Sequence, residues 1–530
     1  MSRIRGGANS TQIRVAARRI GAFIDRVDIL VALDAGAVGH CARRVDGSTL
    51  VVGDRSTIGD VPGLVDLPFA AICAELGDRL ATNFLAVGAL AGILAIEATA
   101  LESYVRGHFA GKKPELAERS VRAVRRGREE GRRIVAETGM AVDIGRGRGF
   151  ASDWLTNGSE AVGLGALAGG CDFISSYPMS PGTGVLQFLA SHKNEFGLVV
   201  DQSEDEIAAA NMALGAWYTG ARALVTTSGG GFALMSETVS LAGMIETPLV
   251  VHIGQRPGPA TGLPTRTEQG DLDLVLHAGH GEFPRAIFAP GSAEEAFALT
   301  RRAFEVADRF QVPAFILTDQ FLLDSNWGSE PFAISAEGPE RRIVATDGDY
   351  LRYAPAADGI SPRGVPGWGE GVVRVDSDEH DEEGLITEDA IVRVRMVDKR
   401  LAKAAALAEA ALPPTIFATG SWDTIVVCWG STKGVVLEAA GRSGLAGLAV
   451  MHVPQPWPLH PSVGELLGRA RRIVVVENNA TGQFARLLRA ETGYRSESVL
   501  KYDGSAFSVE ELARGLAASA ATSLGERMAS

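Results

Sequence analysis

The chain has 530 residues, 46% of them hydrophobic and 22% charged, with a formal net charge of −13. That length is too great for one core and implies about three domains of ordinary soluble composition. The negative balance argues against general nucleic-acid binding, which needs positive charge to displace counterions.

Cys41, Cys73, Cys171 and Cys428 are scattered, with no CxxC pair. Isolated thiols suit a reducing cytosol and offer no local motif for an iron–sulfur cluster. Gly6 and Gly7 fall where a signal peptide needs an apolar run, so a cytoplasmic protein is expected. The most membrane-like stretch, 84–96, is too short for a span and ends at Glu97; a buried helix is expected there.

In chain order, strands are expected at 28–33 and 49–52, then a long helix from about 82 to 109. The basic segment 111–133 interleaves Arg122, Arg125, Arg126, Arg128, Arg132 and Arg133 with Glu129 and Glu130. That spacing favours a solvated linker helix over a nucleic-acid arm. Helices and strands then alternate, with helices at 160–168, 183–190 and after Ser203. The strands fall at 173–177, 198–201, 223–227, 249–253, 285–288 and 312–318. Continuous Val/Ile/Leu strands between helices indicate a parallel sheet covered on both faces. Residues 336–420 read as irregular, with an acidic run at 376–383 around His380 that suits a hydrated loop better than a metal site. Alternation returns in a smaller α/β domain with strands at 424–429, 448–453 and 473–477. No solenoid repeat is present. The fold class is multidomain α/β.

Every informative motif of the larger sheet follows a strand, where open parallel sheets bind ligands. The stretch SEDEIAAANMALGA (203–216) opens a helix of small residues, which lets another surface approach closely. Glu206, in its first turn, can accept a hydrogen bond from a cofactor ring nitrogen; read alone, the helix dipole also accounts for it. In YPMSPGT (177–183) two prolines fix the backbone. Ser180 is then presented beside helix N–H groups open to an anion, or the stretch is an ordinary turn capped by Thr183. The glycine loop TTSGGG (226–231) suits close approach but lacks the Lys-Ser/Thr of a Walker loop. In the long loop after strand 249–253, Arg256 can clamp a carboxylate bidentately.

Together these stretches resemble the α subunit of 2-oxoacid:ferredoxin oxidoreductases, particularly the 2-oxoglutarate type with a γ-like domain fused at its N-terminus. The resemblance extends to QRPGPATGLPTRTEQGDL (255–272), the most specific stretch, and to DGISPRGVPG (358–367). It also takes in VVCWGSTKGVV (426–436), VVVENNATGQFARLL (474–488), RGGANSTQIRV (5–15) and VALDAGAVGH (31–40). It implies a γ-like domain over 1–112, a basic linker over 113–155 and a pyrimidine-binding thiamine diphosphate domain over 156–335. A connecting segment over 336–420 and a transketolase C-terminal-like domain over 421–530 complete the scheme.

The implied activity is oxidative decarboxylation of a 2-oxoacid to acyl-CoA and CO2, with ferredoxin as acceptor and coenzyme A as co-substrate. Glu206 takes the place of the catalytic, cofactor-activating glutamate, with Tyr177, Ser228 and Gly229 beside the cofactor. Ser180 and Arg256 line the 2-oxoacid pocket, and Arg352 contacts the substrate's distal carboxylate. No Gly-Asp-Gly metal motif is found, Asp347-Gly348-Asp349 being the nearest. This chain is therefore expected to ligate no metal, and a β subunit to supply the Mg2+–diphosphate half-site and a [4Fe–4S] cluster. Neither nucleic acid nor membrane is an expected partner.

Three departures accompany the resemblance. Ser180 stands where threonine is usual, which keeps the hydroxyl but loosens its rotamer preference. Arg266 replaces a usual lysine. The chain also starts inside the γ-like domain, so either the start is misassigned or that domain is shortened, which leaves its coenzyme A role open. Rival readings are the same enzyme acting on pyruvate or a branched-chain 2-oxoacid, and a non-catalytic scaffold subunit. A dinucleotide-binding dehydrogenase fails on the absence of a GxGxxG turn after a first strand.

Overall fold

The computed structural model describes residues 9–109, 114–140, 142, 144, 150, 152–334 and 338–529, with side chains given up to residue 520. Positions 5–8 of the first motif and 111–113 of the basic segment lie outside these. The chain divides into two compact units, Ile4–Arg18 with Ile24–Ala151, and Arg19–Phe23 with Ser152–Ser530.

The smaller unit holds a three-stranded parallel sheet of β1 (Ile29–Ala32), β2 (Leu50–Gly53) and β3 (Leu64–Asp66). The single long helix expected after it is two, α1 (Thr82–Ile93) and α2 (Ala98–His108), because Ala95 turns the chain at a φ of 54°. The basic segment is helical, as α3 (Pro114–Thr138), but not solvated on every side. Ala117, Val121, Val124 and Ile134 are buried on one face; Gly131 abuts Gly92 of α1, and a side chain at Gly127 or Gly88 would strike the backbone of Leu85 or Val124 across the helix pair. Of its arginines, Arg125, Arg126 and Arg133 pair with Glu102, Glu130 and Glu137. Among the described residues no helix is long and apolar enough to cross a membrane.

The larger unit is built on a six-stranded sheet in which every neighbouring pair is parallel. After α4 (Gly158–Ala168), its first strand β4 (Phe173–Ser176) leads through α5 (Thr183–Ser191) to β5 (Val199–Gln202). Next come α6 (Glu206–Tyr218), β6 (Ala223–Thr227), α7 (Gly229–Leu234), α8 (Ser236–Met244) and β7 (Leu249–Gln255). The sheet is completed by β8 (Ala286–Phe288), α9 (Ala293–Phe310) and β9 (Pro313–Asp319). The order is β5-β4-β6-β7-β9-β8. Strands β6, β7 and β9 are buried along their whole length, as the continuous apolar runs require.

Beyond β9 the expected irregular segment contains a 20-residue helix, α10 (Ala390–Glu409). It was hidden because its buried face carries Lys399, Arg400 and Lys403, while Ile391 is 79% and Val394 60% exposed. The acidic run is also less hydrated than expected: Glu379 pairs with Arg393 and Arg400, and His380 is buried against Tyr353 with ring centroids 4.0 Å apart.

The final domain is a five-stranded sheet of β10 (Thr415–Ala418), β11 (Thr424–Cys428), β12 (Leu448–His452), β13 (Arg472–Glu477) and β14 (Glu497–Leu500). Its order is β10-β12-β11-β13-β14, with β10 antiparallel to β12. The edge strands β10 and β14 are additions to the three strands expected here. Helices α11 (Thr432–Arg442) and α12 (Gln483–Thr492) follow β11 and β13. Ile287 N of β8 donates to Trp457 O at 2.8 Å, joining this domain to the larger sheet.

Candidate active site

Strand β4 is the switch point of the larger sheet, since the chain runs from it to β5 on one side and then to β6 on the other. Crossovers leaving in opposite directions open a crevice above the carboxyl ends. The β4–β6 ladder stops at Ile174–Leu224, and beyond it Thr226 N donates to Ser176 Oγ at 2.9 Å. The strands thus part as they reach the loops.

Helix α6 opens into this crevice. The Asp205 side chain caps it by accepting from Ala208 N at 2.7 Å, which fixes Glu206 in the first turn. Glu206 is 4% exposed, and its Oε1 is shielded from water with no hydrogen-bond partner. A β-carbon at Gly231 would lie 2.7 Å from that oxygen, so glycine lets the turn after β6 close over the carboxylate. Leaving a buried polar atom unpaired costs free energy, which a donor arriving with a ligand restores. The ring nitrogen of an aminopyrimidine, as in thiamine diphosphate, becomes such a donor in its protonated or imino form, so the residues present fit that group. Ser228 Oγ, fully buried at the same turn, is likewise unpartnered.

Arg256 follows β7 and donates from Nη1 to Ser180 O at 2.7 Å, leaving Nε and Nη2 for another acceptor. Burial holds its pKa below the usual guanidinium range, with nearby Asp271 pulling the other way. Asp271 N donates to Gln255 Oε1 at 3.0 Å, and the Asp271 carboxyl lies directly against Gly229, where any side chain would overlap it. Its Oδ2 is shielded and unpartnered. Burial, reinforced by Glu268 and opposed by Arg256, raises the Asp271 pKa to about 7.

The far half of this loop is held by the final domain. Gln269 N donates to Asn478 O at 2.7 Å, Asn478 N to Gln269 Oε1 at 2.9 Å, and Gln269 Nε2 to Trp429 O at 2.8 Å. Asn479 Nδ2 reaches Gln269 O at 3.1 Å, and Gln483 Nε2 reaches Gly270 O at 2.8 Å. Glu477 anchors that turn by accepting from Phe484 N, Ala485 N and Asn479 Nδ2.

Glu206, Ser180, Arg256, Ser228 and Gly229 therefore meet at one end of the sheet, with Tyr177, 40% exposed, on the loop after β4. Arg352 does not join them, which corrects the expectation for it. It is buried, and its Nη2 donates to Glu246 O at 2.6 Å just before β7, at the opposite end of that strand. Seven strand residues put about 20 Å between the two ends. There Glu246 meets Lys399 Nζ at 2.9 Å and also pairs with Lys403. Burial opposes its charge most strongly, yet Lys403, Lys399 and Arg352 bring its pKa down to about 2. Asp308 accepts from Arg222 and Arg363, each at 2.6 Å, at the same end. Asp271 and Gln269 lay inside the most specific motif but were not singled out, because their neighbours are remote in the chain.

A carboxylate-bearing crevice at the switch point of a parallel sheet defines a ligand-binding α/β protein. Accordingly, residues 164–399 match the family model for pyruvate flavodoxin/ferredoxin oxidoreductase, thiamine diphosphate-binding. Residues 1–130 match that for pyruvate ferredoxin/flavodoxin oxidoreductase. The chain is 35% identical over 386 residues to the α subunit of 2-oxoacid:ferredoxin oxidoreductase 1 of Sulfurisphaera tokodaii, covering 68% of this chain and 61% of that relative's length. It is 31% identical over 579 aligned positions to 2-oxoglutarate oxidoreductase subunit KorA of Mycobacterium tuberculosis, covering 98% of this chain and 85% of that protein. A solved structure of 2-oxoglutarate:ferredoxin oxidoreductase from Magnetococcus marinus, with 2-oxoglutarate, coenzyme A and succinyl-CoA bound, superposes with a TM-score of 0.86. It shares 29% identity and covers 94% of this chain and 89% of its own. The chain belongs to the 2-oxoacid:ferredoxin oxidoreductase α-subunit family.

Proposed function

We propose that this chain is the α subunit of an enzyme that oxidatively decarboxylates a 2-oxoacid, foremost 2-oxoglutarate, to its acyl-CoA with ferredoxin as electron acceptor. The observation that carries the reading is the buried, unpartnered Oε1 of Glu206 in the crevice. Residues 156–335 act as the pyrimidine-binding domain, 421–530 as the transketolase C-terminal-like domain, and the N-terminal residues as the γ-like domain.

Thiamine diphosphate, when bound, supplies the carbon acid that adds to the 2-oxoacid and accepts the electrons released with CO2. Glu206 holds a proton-accepting oxygen in a dry first turn, where a hydrogen bond to a ring nitrogen is strong. Ser228 and Gly229 border the same ligand, and Tyr177 guards the mouth. Arg256, braced by Ser180 O, offers two free guanidinium nitrogens to the substrate's carboxylate, with the Ser180 hydroxyl beside it.

Among the described residues no group of His, Cys, Asp and Glu is placed to hold a metal, and the four cysteines are free and buried apart. We assign Mg2+ and a [4Fe–4S] cluster to a β subunit of a cytoplasmic complex, as the family resemblance implies. Tyr177, Ile207, Leu234 and Leu263 are exposed apolar residues on segments beyond the strand ends, which that subunit would cover.

Arg352 lies at the other end of the sheet, so the second reading is the same enzyme acting on pyruvate or a branched-chain 2-oxoacid. Competition between 2-oxoglutarate and pyruvate in the purified complex separates the two. The test of the main reading is Glu206→Ala: the complex should stay folded and lose 2-oxoacid-dependent ferredoxin reduction. Undiminished turnover in that variant removes the assignment.

A further inference from the structure

We propose that Asp271 is a substrate-contacting residue, a neutral carboxylic acid that donates a hydrogen bond to the same 2-oxoacid carboxylate that Arg256 clamps. The proposal rests on the reading of Arg256 given above. Asp271 is pinned to the sheet: its N–H donates to Gln255 Oε1, and Gln255 Nε2 donates to Thr318 O at 3.1 Å. Its carboxyl is held against Gly229, with Oδ2 shielded and unpaired. Arg256 stands at the end of the strand that carries Gln255, yet its hydrogen bond goes to Ser180 O and it forms no ion pair with Asp271. Two groups of matching chemistry thus share one space without engaging each other, the arrangement expected where a third group binds between them.

An anionic Asp271 would repel an incoming carboxylate and compete for Arg256. A neutral one supplies an O–H donor, and a hydrogen bond from a carboxylic acid to a carboxylate is among the stronger kinds. The surroundings favour the neutral form. Glu268 faces Asp271 from its own loop, the Ser228–Gly231 turn brings no titratable group, and Arg256 is the opposing cation. Asp273, two positions on, is already paired with Arg486 of α12. Burial outweighs Arg256, so the carboxyl titrates near neutrality. Substrate binding then takes up one proton once Asp271 has ionised, and affinity falls about tenfold for each pH unit above roughly 7.

The experiment is calorimetric titration of 2-oxoglutarate into the full chain, purified with its accompanying subunits, across the pH range on both sides of neutrality. Wild-type affinity should fall about tenfold per unit on the alkaline side, with uptake of one proton read from buffers of different ionisation enthalpy. Asp271→Asn, which donates at every pH, should bind with little pH dependence. A pH-independent wild type without proton uptake overturns the proposal and needs no variant to do so. A persisting wild-type slope in Asp271→Asn also overturns it. Arg256→Ala separates the two readings: loss of binding at every pH supports the clamp. Unchanged affinity removes the clamp and the Asp271 proposal with it.

Discussion

At the amino ends of the larger sheet Glu246 meets Lys399 and Lys403, and Asp308 meets Arg222 and Arg363, so each buried carboxylate has its cations. At the carboxyl ends Glu206 and Asp271 each keep a shielded oxygen with no partner. Both ends bury charge in one fold, so burial alone does not mark a working group. What separates them is whether the protein completes the pairing itself. The paired end fastens α10 and the 338–375 segment to the sheet, and the unpaired end is left for a ligand to complete.

Substitutions at the two ends should therefore dissociate activity from stability. The largest effect expected is for Glu206→Gln: turnover drops about a thousandfold, while the thermal midpoint holds or rises because an unsatisfied carboxylate is gone. Glu246→Gln should do the reverse. It leaves two buried lysines facing a neutral amide and destabilises the chain by about 3–5 kcal/mol, measurable by denaturant unfolding, with turnover per folded molecule retained.

The pH dependence sharpens the contrast. The folded-state pKa of Glu246 is about 2, below the ordinary 4.5. Its stabilisation is complete above that ordinary value and is lost as pH falls through the window toward the folded one. Acid unfolding of the wild type should steepen there, and Glu246→Gln should flatten that limb. Next in size is Gln269→Ala, which removes hydrogen bonds spanning two domains at about 1–3 kcal/mol and should raise KM for the 2-oxoacid more than it lowers stability. The smallest effect is for Asp205→Ala, about 1 kcal/mol from the lost helix cap, read as a modest midpoint shift with a parallel loss of activity as Glu206 loosens.

Much of this architecture was legible in the sequence. Strand β6 falls on the expected residues, because a fully buried strand is a continuous apolar run bounded by turn residues. Glu206, Ser180 and Arg256 stand out in the sequence because each sits in the segment that follows a strand of a parallel sheet. Helix α10 was not found, since Lys399 and Lys403 face inward and invert the apolar pattern. The break at Ala95 carried no glycine or proline to announce it. Arg352 was misplaced because an arginine in a loop outside the sheet does not say which end of the sheet it serves. Asp271 and Gln269 take their meaning from Gly229 and Asn478, and such contacts become visible only when the chain is folded.

The reciprocal bonds between Gln269 and Asn478 carry one more consequence. They latch the segment that bears the pocket's polar groups onto the turn after β13, more than two hundred positions downstream. Altering the substrate range by directed change therefore need not begin in the pocket. Variation around 477–483 offers a remote handle on its width, and libraries confined to the first 335 residues would overlook it.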